Sequence, residues 1–478
     1  MNLHPLIVDL DGTLIRTDML HESALKAVRS NPFVIFLILY YLFFKGKAKL
    51  KQYLSAQSNF DPSTLPYDMD LLNWLKNQRN IGRKLILCTA SDLSIANSIA
   101  KHLGIFQEVI ASDGVINLAG KNKAKALEQR FGHAGFDYAG NSNADLFVWK
   151  KARHAIVVNG SSGLAKKAAK NCEVKEIFSS HSLGIGVWLR VLRVHQWLKN
   201  ALLFIPFFAG HQIFDSETWF SLILAFFSFS LCASSVYIIN DLLDLDSDRQ
   251  HPRKCKRPFA SGIVPAWMGI ILAPLLFLIS LGLAQYVNGD FVPWLMVYFI
   301  LTCAYSFKLK QIVLIDCITL AMLYTLRVIA GTAAAGLGMS FWLLAFSIFL
   351  FLSLAFVKRY AELEVQILSG KEKIAGRGYF TSDAPLIRIQ GLASGYVSVL
   401  VLALYLQSDD IIRLYAIPEL IWATVPIILY WVSWMWMQAH RGNMHDDPLV
   451  FAVKDKASLI TGVVFSIVLI IGAVGWPW

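Results

Sequence analysis

The sequence predicts two unlike parts: an N-terminal α/β domain, then an all-α polytopic membrane domain of about nine transmembrane helices. Three observations carry this. Apolar runs near twenty residues long recur after about residue 197, the length that crosses ~30 Å of hydrocarbon. The first 180 residues hold only short apolar runs, broken by Lys, Asp, Asn and Gly. The 478-residue chain is 56% apolar and 16% charged, with a mean hydropathy of +0.51, which is not the composition of one soluble protein.

The front domain comes first in the chain. Met1-Asn2-Leu3-His4 lacks a basic leader, and the next apolar run is interrupted by Asp9 and Asp11. No signal peptide is expected, so the domain is placed in the cytosol. Pro5-Leu6-Ile7-Val8 reads as a buried strand that runs into the acidic turn Asp9-Leu10-Asp11-Gly12-Thr13-Leu14. At the carboxyl end of a strand in an open α/β sheet, two such carboxylates can address one cation and one phosphate. One attacks phosphorus and the other handles the leaving-group proton. An Asp-Gly pair is also a common plain turn, so the turn alone does not decide.

Between about residues 18 and 76 lies an insert suited to a helical cap. Its run Phe33 to Phe44 is twelve apolar residues long, too short to span a bilayer, and Lys45, Lys47, Lys49 and Lys51 follow. It is either a buried cap helix or a helix resting on the membrane face.

The six cysteines (88, 172, 232, 255, 303 and 317) are scattered without metal-ligand spacing and read as reduced, buried thiols. The net charge of +11 does not point to nucleic acid, because its placement follows membrane topology. Spans are expected at roughly 197–213, 219–239, 268–287, 291–307, 312–335, 341–357, 387–407, 415–437 and 458–477. Lys199 and Asn200 make the first of these the weakest. With the N-terminus inside, the cytosolic loops carry Arg249, Arg253, Lys254, Lys256, Arg257, Lys308, Lys310, Lys358, Arg359, Lys371, Lys373, Arg377, Arg388, Arg441, Lys454 and Lys456. The opposite loops offer little beyond Arg413, beside Asp409 and Asp410. This is a positive-inside pattern, and it predicts a multi-pass protein of the cell (inner) membrane with its front domain and loops facing the cytoplasm.

The stretch from Asn240 to Pro258 is the most informative. Asp241, Asp244 and Asp248 are spaced three and four apart, so on a helix they share a face. Carboxylates so placed repel one another unless a cation lies between them, and Mg²⁺ completes its shell with substrate phosphate oxygens. Basic residues follow at once and would neutralise further phosphate charge. The pattern reads as a Mg²⁺-diphosphate site at a membrane surface.

Two resemblances extend this reading. Asp9 to Leu14 resembles the first motif of haloacid-dehalogenase-like phosphatases, which implies a Rossmann-like fold over residues 1–180, with Mg²⁺ bound. The other motifs follow in order. Thr89 ends the strand Lys84-Leu85-Ile86-Leu87-Cys88-Thr89 and would bind phosphoryl oxygens. Lys123 is similar to the charge-balancing lysine, with Lys121 and Lys125 as competitors. Phe136 to Asp145 resembles the acidic fourth motif, but Asn141 stands at its first acidic position and only Asp145 remains. An amide oxygen still ligates Mg²⁺ without contributing charge, which leaves open a slow or inactive phosphatase.

The NDxxDxxxDR stretch resembles the UbiA superfamily of intramembrane transferases over about residues 183–478, and nine helices is also that family's number. The wider pattern DRxHPxKxxRPxASG, from Asp248 to Gly262, is similar to its decaprenyl-phosphate phosphoribosyltransferase branch. Arg193 to Asn200, Tyr305 to Lys308, Leu326 to Gly331 and Lys358 to Glu362 agree with it. Prenyltransferases of the family usually carry a second aspartate-rich motif, whereas Ile315 to Leu320 holds only Asp316.

The resemblance implies Mg²⁺-dependent transfer of a 5-phosphoribosyl group from phosphoribosyl diphosphate to a polyprenyl phosphate. Asn240, Asp241, Asp244 and Asp248 would hold the metal-diphosphate, and Arg249, Lys254 and Arg257 the diphosphate or 5-phosphate. Lys308, Lys358, Arg359 and Glu362 would complete the site from neighbouring cytosolic loops. Asp316 and Arg327 are stronger candidates for the substrate site, because each is expected at or inside a span, where an ionisable group is costly unless used or paired; a structural Asp–Arg pair is the alternative. The phosphatase domain would then remove the 5-phosphate. Two alternatives stand beside this: a polyprenyltransferase moving a chain from its prenyl diphosphate to an aromatic acceptor, and a membrane-anchored non-enzymatic protein with a degenerate phosphatase domain.

Overall fold

The structure, a computed structural model, describes residues 4–57, 60–112, 117–179, 183–211, 215–287, 290–374, 376–408, 414–444 and 447–475. Arg413, Asp409 and Asp410 of the opposite-side loop lie outside these residues. The chain forms two compact units. One comprises residues up to Leu192 together with Tyr237–Ala273, and the other Arg193–Val236 and Pro274 onward. The acidic loop therefore belongs to the same unit as the front domain, although it follows a long apolar helix in the chain.

The front domain is the expected α/β sandwich. Six parallel strands, β1 (Leu6–Val8), β2 (Leu85–Asp92), β3 (Glu108–Ser112), β4 (Asp137–Gly140), β5 (His154–Gly160) and β6 (Glu173–Ser179), stand in the order β3-β2-β1-β4-β5-β6. Strands covered on both faces read as unbroken apolar runs, and Leu6, Ile7, Val8, Leu85, Ile86 and Leu87 are all fully buried. Alternate residues face opposite layers. Leu6, Val8, Leu85 and Leu87 pack with Ile95 and Ile99 of the helix Leu93–Leu103, while Ile7 and Ile86 pack with Leu127, Val148 and Trp149 on the other side. The strand order reverses direction at β1–β4, and the carboxyl ends flanking such a switch point hold the ligand in sheets of this kind.

The insert is helical, as the sequence suggests, with helices Met19–Ser30, Val34–Tyr40, Lys47–Gln57 and Met69–Asn80. The apolar run does not bury itself. Val34 is buried, and Ile38 and Tyr41 pack partly against Ala27, Leu50 and Leu54, but the remaining faces are open to the surroundings.

Of the nine expected spans, seven are helices long and apolar enough to cross a membrane: Ser216–Leu243, Ala266–Ala284, Ile315–Ala334, Phe341–Leu368, Thr381–Tyr405, Pro418–His440 and Lys456–Val474. Phe291–Phe307 is apolar but shorter. The expected first span differs in kind. Residues Val194–Phe204 form a 3₁₀ helix, with Lys199 and Asn200 buried, and Ile205–Ala209 add five α-helical residues ending at Gly210. Its polar side chains find partners by lying inside the second unit, where Asn200 donates to Ser230 (2.9 Å) and Trp197 to Ser234 (2.9 Å).

This 3₁₀ segment crosses the helix Ile315–Ala334 at Gly331, where an added Cβ would collide with the backbone carbonyl of Leu203. Backbone cannot yield as a side-chain end does, so Gly331→Ala is expected to cost about 1–3 kcal/mol. Gly338→Ala, in open space, is the control. The check is the apparent Tm of purified protein in detergent, which should fall for the first variant only.

Candidate functional site

The front pocket gathers at the carboxyl ends of β1, β2 and β4. Asp9 Oδ1 accepts from the Leu10 amide (2.8 Å) and pairs with Lys123 Nζ (2.8 Å). Burial pushes the Asp9 carboxyl up to about 6; Lys123 opposes this, while Asp145 and Asp11 add to it. Burial alone would lower Lys123, but the carboxylates of Asp9 and Asp145 outweigh it and hold the ammonium above its usual range. Of the three competing lysines, only Lys123 points inward, and Lys121 and Lys125 are exposed. Asp11 Oδ1 accepts from the Met19 amide (2.9 Å), and Oδ2 from Ser91 (2.6 Å) and Thr89 (3.4 Å).

The fourth motif is partly turned in on itself. Asp145 Oδ1 accepts from Tyr138 (2.9 Å), and Oδ2 from the amides of Asn141 (3.0 Å) and Ser142 (2.9 Å) and the Ser142 hydroxyl (2.9 Å). Asp145 thus shapes the turn that presents Asn141. The Asn141 amide lies hard against Gly12, where φ is +71° and an added Cβ would strike it. Asp9, Asp11 and Asn141 are the groups left to address a cation, and no trio of His, Cys, Asp or Glu is assembled for one among the described residues.

In the acidic loop, the expectation of one continuous helical face needs correction. The helix Ser216–Leu243 ends before Asp244, whose φ of −97° and ψ of 12° are not helical, and a short helix Leu245–Gln250 follows. Asp241 and Asp248 still converge, because Arg257 Nη1 donates to both, at 2.9 and 2.6 Å. Burial pushes the Asp248 carboxyl up, with Arg257 opposing and Asp241 reinforcing. Asp244 instead pairs with Arg29 (3.3 Å), and Asp246 with Lys26 (3.0 Å). Arg249, expected at the diphosphate or 5-phosphate, is engaged within the protein: its two Nη atoms donate to the two carboxylate oxygens of Glu22 (2.7 and 3.2 Å), and its Nε donates to the Ala260 carbonyl. Its fork is filled, and Thr17 donates to the same Glu22 (2.6 Å). Asn240 is half-buried, and Lys254 is exposed beside this cluster.

The second unit holds two further charge clusters. Asp316, at the start of Ile315–Ala334, pairs with Arg359 (2.6 Å) and Arg377 (2.9 Å) and accepts from Tyr305 (2.8 Å). Arg359 and Arg377 both also reach Glu362. The plain Asp316–Arg327 pair is not formed, since eleven positions on one helix separate the two by ~16 Å. Arg327 donates to Asn200 (2.9 Å) and Tyr298 (3.0 Å), with its guanidinium over the Tyr298 ring at 4.8 Å. Lys358, Arg359 and Glu362 lie on the helix Phe341–Leu368 rather than in a loop. Lys308 is exposed at the end of Phe291–Phe307.

The other cluster centres on Asp447, which the sequence reading missed. It accepts from Lys199 (2.7 Å), Lys358 (3.4 Å) and Tyr324 (2.8 Å). Burial would raise its carboxyl, but the two lysines hold it well below the usual carboxylate range. Asp447 also caps the helix Pro448–Lys454 through the Leu449 amide, and an Asp-Pro pair before an apolar run reads as nothing more than such a cap. Lys199 and Asn200 inside an apolar run were the available signal.

The N-terminal region resembles haloacid-dehalogenase-like phosphatases in its parallel sheet and the acidic turn after its central strand. A solved structure described as a phospho-aspartyl intermediate analogue of phosphoserine phosphatase aligns with 38% of this chain and 96% of its own, at 14% identity and a TM-score of 0.28. Uncharacterized protein y4nM of Sinorhizobium fredii is 37% identical over 460 residues, covering 96% of this chain and 89% of that one. The decaprenyl-phosphate phosphoribosyltransferase of Mycolicibacterium smegmatis is 31% identical over 277 residues, 56% of this chain and 86% of its own. Residues 201–452 match the model of the UbiA prenyltransferase family. This chain belongs to that family, as a multi-pass membrane transferase that carries a parallel-sheet α/β domain ahead of its spans.

Proposed function

We propose that the membrane part transfers a 5-phosphoribosyl group from phosphoribosyl diphosphate to a polyprenyl phosphate, and that the front domain then removes the 5-phosphate. The observation that carries the first half is the convergence of Asp241 and Asp248 on one cationic group. Two carboxylates packed so closely suit a hard divalent cation, and Mg²⁺ takes one or two protein carboxylates and fills its shell with phosphate oxygens and water. Mg²⁺ bound there would neutralise charge on the departing diphosphate. Arg257 shares these carboxylates and is placed to turn to the diphosphate when a cation displaces it. Asn240 and Lys254 flank the same loop, and on this reading Asp244 serves the cation only when it parts from Arg29. The acceptor is a phosphate anionic at neutral pH and needs no general base, in keeping with a site whose residues position and neutralise.

The curated relative that acts on decaprenyl phosphate supports this substrate class. In a prenyl transfer to an aromatic ring, a second acidic cation site would be expected; Asp316 is instead enclosed by Arg359 and Arg377. Those arginines, with Lys199 and Lys358, supply cations for the phosphate of the acceptor lipid or the donor's 5-phosphate. In the front domain, Asp9 is the nucleophile toward phosphorus and Asp11 the proton carrier. Lys123 balances the phosphoryl charge, Thr89 binds its oxygens, and Asn141 with both aspartates would hold Mg²⁺. Asp145 acts by fixing the turn under Asn141. Both sites then face the cytoplasm, from the inner membrane.

The transferase reading is checked with membranes supplied with Mg²⁺, a polyprenyl phosphate and labelled phosphoribosyl diphosphate. Label should enter the lipid phase, and Asp241→Ala should lower the rate ~100-fold or more. Label entering lipid only from an allylic diphosphate with an aromatic acceptor would overturn it. Asp9→Asn is expected to leave transfer intact and to stop release of the 5-phosphate, read by mass analysis of the lipid product; unchanged release would remove the front domain from the reaction. Because Glu22 holds Arg249, Glu22→Arg should slow transfer and lower the apparent Tm. Adding Arg249→Glu should restore both, with a coupling of about 1–3 kcal/mol.

A further inference from the structure

The apolar run of the cap is the largest exposed hydrophobic feature of the front domain. Helix Val34–Tyr40 continues as a wider π turn, Tyr41–Lys45, closed by Gly46 at φ +82°. Val34, Ile38 and Tyr41, spaced at i, i+4 and i+7, face inward onto Leu50 and Leu54. The outer faces carry Phe33, Phe43 and Phe44, each 75% exposed, Phe36 at 67%, and Leu39 and Tyr40 near half. A soluble surface does not keep so many large apolar side chains contiguous without a partner. At twelve residues the helix is about 18 Å long, short of the hydrocarbon thickness, so it does not cross a bilayer.

We infer that this helix lies in the membrane surface and holds the front domain's acidic pocket at the level of the lipid headgroups. The occupant of its apolar face is the bilayer in which the chain's own spans are embedded. Charge argues for the same partner: Lys45, Lys47 and Lys49 follow the aromatic face and are all exposed, the arrangement by which interfacial helices meet anionic lipid. Acidic residues are absent from 33 to 57, so nothing on this hairpin repels such a surface.

The hairpin also reaches the pocket. Lys51, on the returning helix Lys47–Gln57, donates to the carbonyl of Ala90 (2.7 Å), between Thr89 and Ser91, which both bond Asp11. The element that meets the membrane is thus one helix away from the candidate phosphoryl-transfer residues. A pocket so placed takes phosphates that stay attached to lipid, because its rim is already at the depth where their headgroups lie. This rests on the exposed surface and the Lys51 contact, independently of which sugar the membrane part transfers.

The test uses the full chain in lipid nanodiscs containing anionic lipid, one protein per disc, with the native cysteines replaced by serine or alanine. Nitroxide labels are placed on Phe36→Cys and Phe43→Cys, and on Ile81→Cys as a comparator that is 61% exposed at the end of another helix. Paramagnetic relaxation by oxygen, which partitions into lipid, and by a water-soluble nickel chelate reports depth. Positions 36 and 43 should show several-fold more oxygen and less nickel contact than position 81. Glu at Lys45, Lys47 and Lys49 together should shift both labels toward water in anionic discs and change little in neutral ones. Labels at 36 and 43 that match position 81 would overturn the inference. So would exclusion of both agents at positions 36 and 43, which would make another part of the same chain, and not lipid, the cover of this face.

Discussion

Two carboxylates that must share one small space set the terms for the acidic loop. Each ion of such a pair costs several kcal/mol to take out of water, and their mutual repulsion grows as the dielectric falls. Arg257 resolves this by donating from a single nitrogen to Asp241 and Asp248. To do so, the chain must leave the long helix at Asp244, turn through the short helix Leu245–Gln250 and return along Arg253–Arg257. Gly262, at φ +72°, then carries it past Arg16, where no Cβ would fit, and Gly269 lets the next span approach Phe259 and Leu242. The local backbone is thus arranged around where one positive charge has to stand. With one guanidinium for two carboxylates, the cluster keeps a formal charge of −1 when both are ionised, and that residual charge attracts further cations.

The second unit applies the same rule with different partners. Asp447 is shared by Lys199 and Lys358 and accepts from Tyr324, so one carboxylate joins the 3₁₀ segment, two long helices and the start of Pro448–Lys454. Asp316 does likewise for Arg359 and Arg377. Arg327 is held by other means: an amide oxygen, a backbone carbonyl, a tyrosine hydroxyl and the ring faces of Tyr298, Phe229 and Tyr324. A guanidinium over aromatic faces gains about 2 kcal/mol or more when desolvated, and its donors are satisfied without a negative charge. Polar groups inside an apolar bundle here work as fasteners between helices.

What the sequence made legible follows from how local the cause is. The buried strands, the acidic turn after β1 and the long apolar helices depend on short stretches of chain, and they stand where their patterns put them. Lys123 was separable from Lys121 and Lys125 in principle, since Ala124 and Leu127 mark the inward face of that helix and Lys123 shares it. Some failures are local, as where the helix breaks at Asp244 and where Phe341–Leu368 runs on through Lys358 to Glu362; the others are long-range. Asp316 and Arg327 share a helix but not a turn, so each found partners elsewhere. Asp447 looked like a helix cap and is one, while its other lone pairs serve residues 248 and 89 positions away. The first expected span became a 3₁₀ segment because Lys199 and Asn200 had partners to reach, and hydropathy alone cannot register partners. Glu22 carried no signal at all; its importance exists only once Arg249 arrives beside it.

The three ion pairs between helix Met19–Ser30 and the acidic loop are not equal, and the inequality says what the contact does. Lys26–Asp246 and Arg29–Asp244 are a third to a half exposed on at least one side, where such pairs contribute roughly 0.2–1 kcal/mol and are screened by salt. Glu22–Arg249 is almost fully enclosed, at 9% and 6% exposure. Removing one partner of a pair like that leaves a bare buried charge and costs about 3–5 kcal/mol. Affinity and register therefore reside in the buried fork, which fixes Arg249 one residue from Asp248. The outer pairs can open and close on that fixed axis at little cost. Asp244 and Asp246 are the acidic residues of the loop paired in this weaker way, with Arg29 and Lys26, whereas Asp241 and Asp248 share Arg257. A contact of this form holds the acidic loop beside the front domain at high effective concentration, while its outer pairs cost little to break.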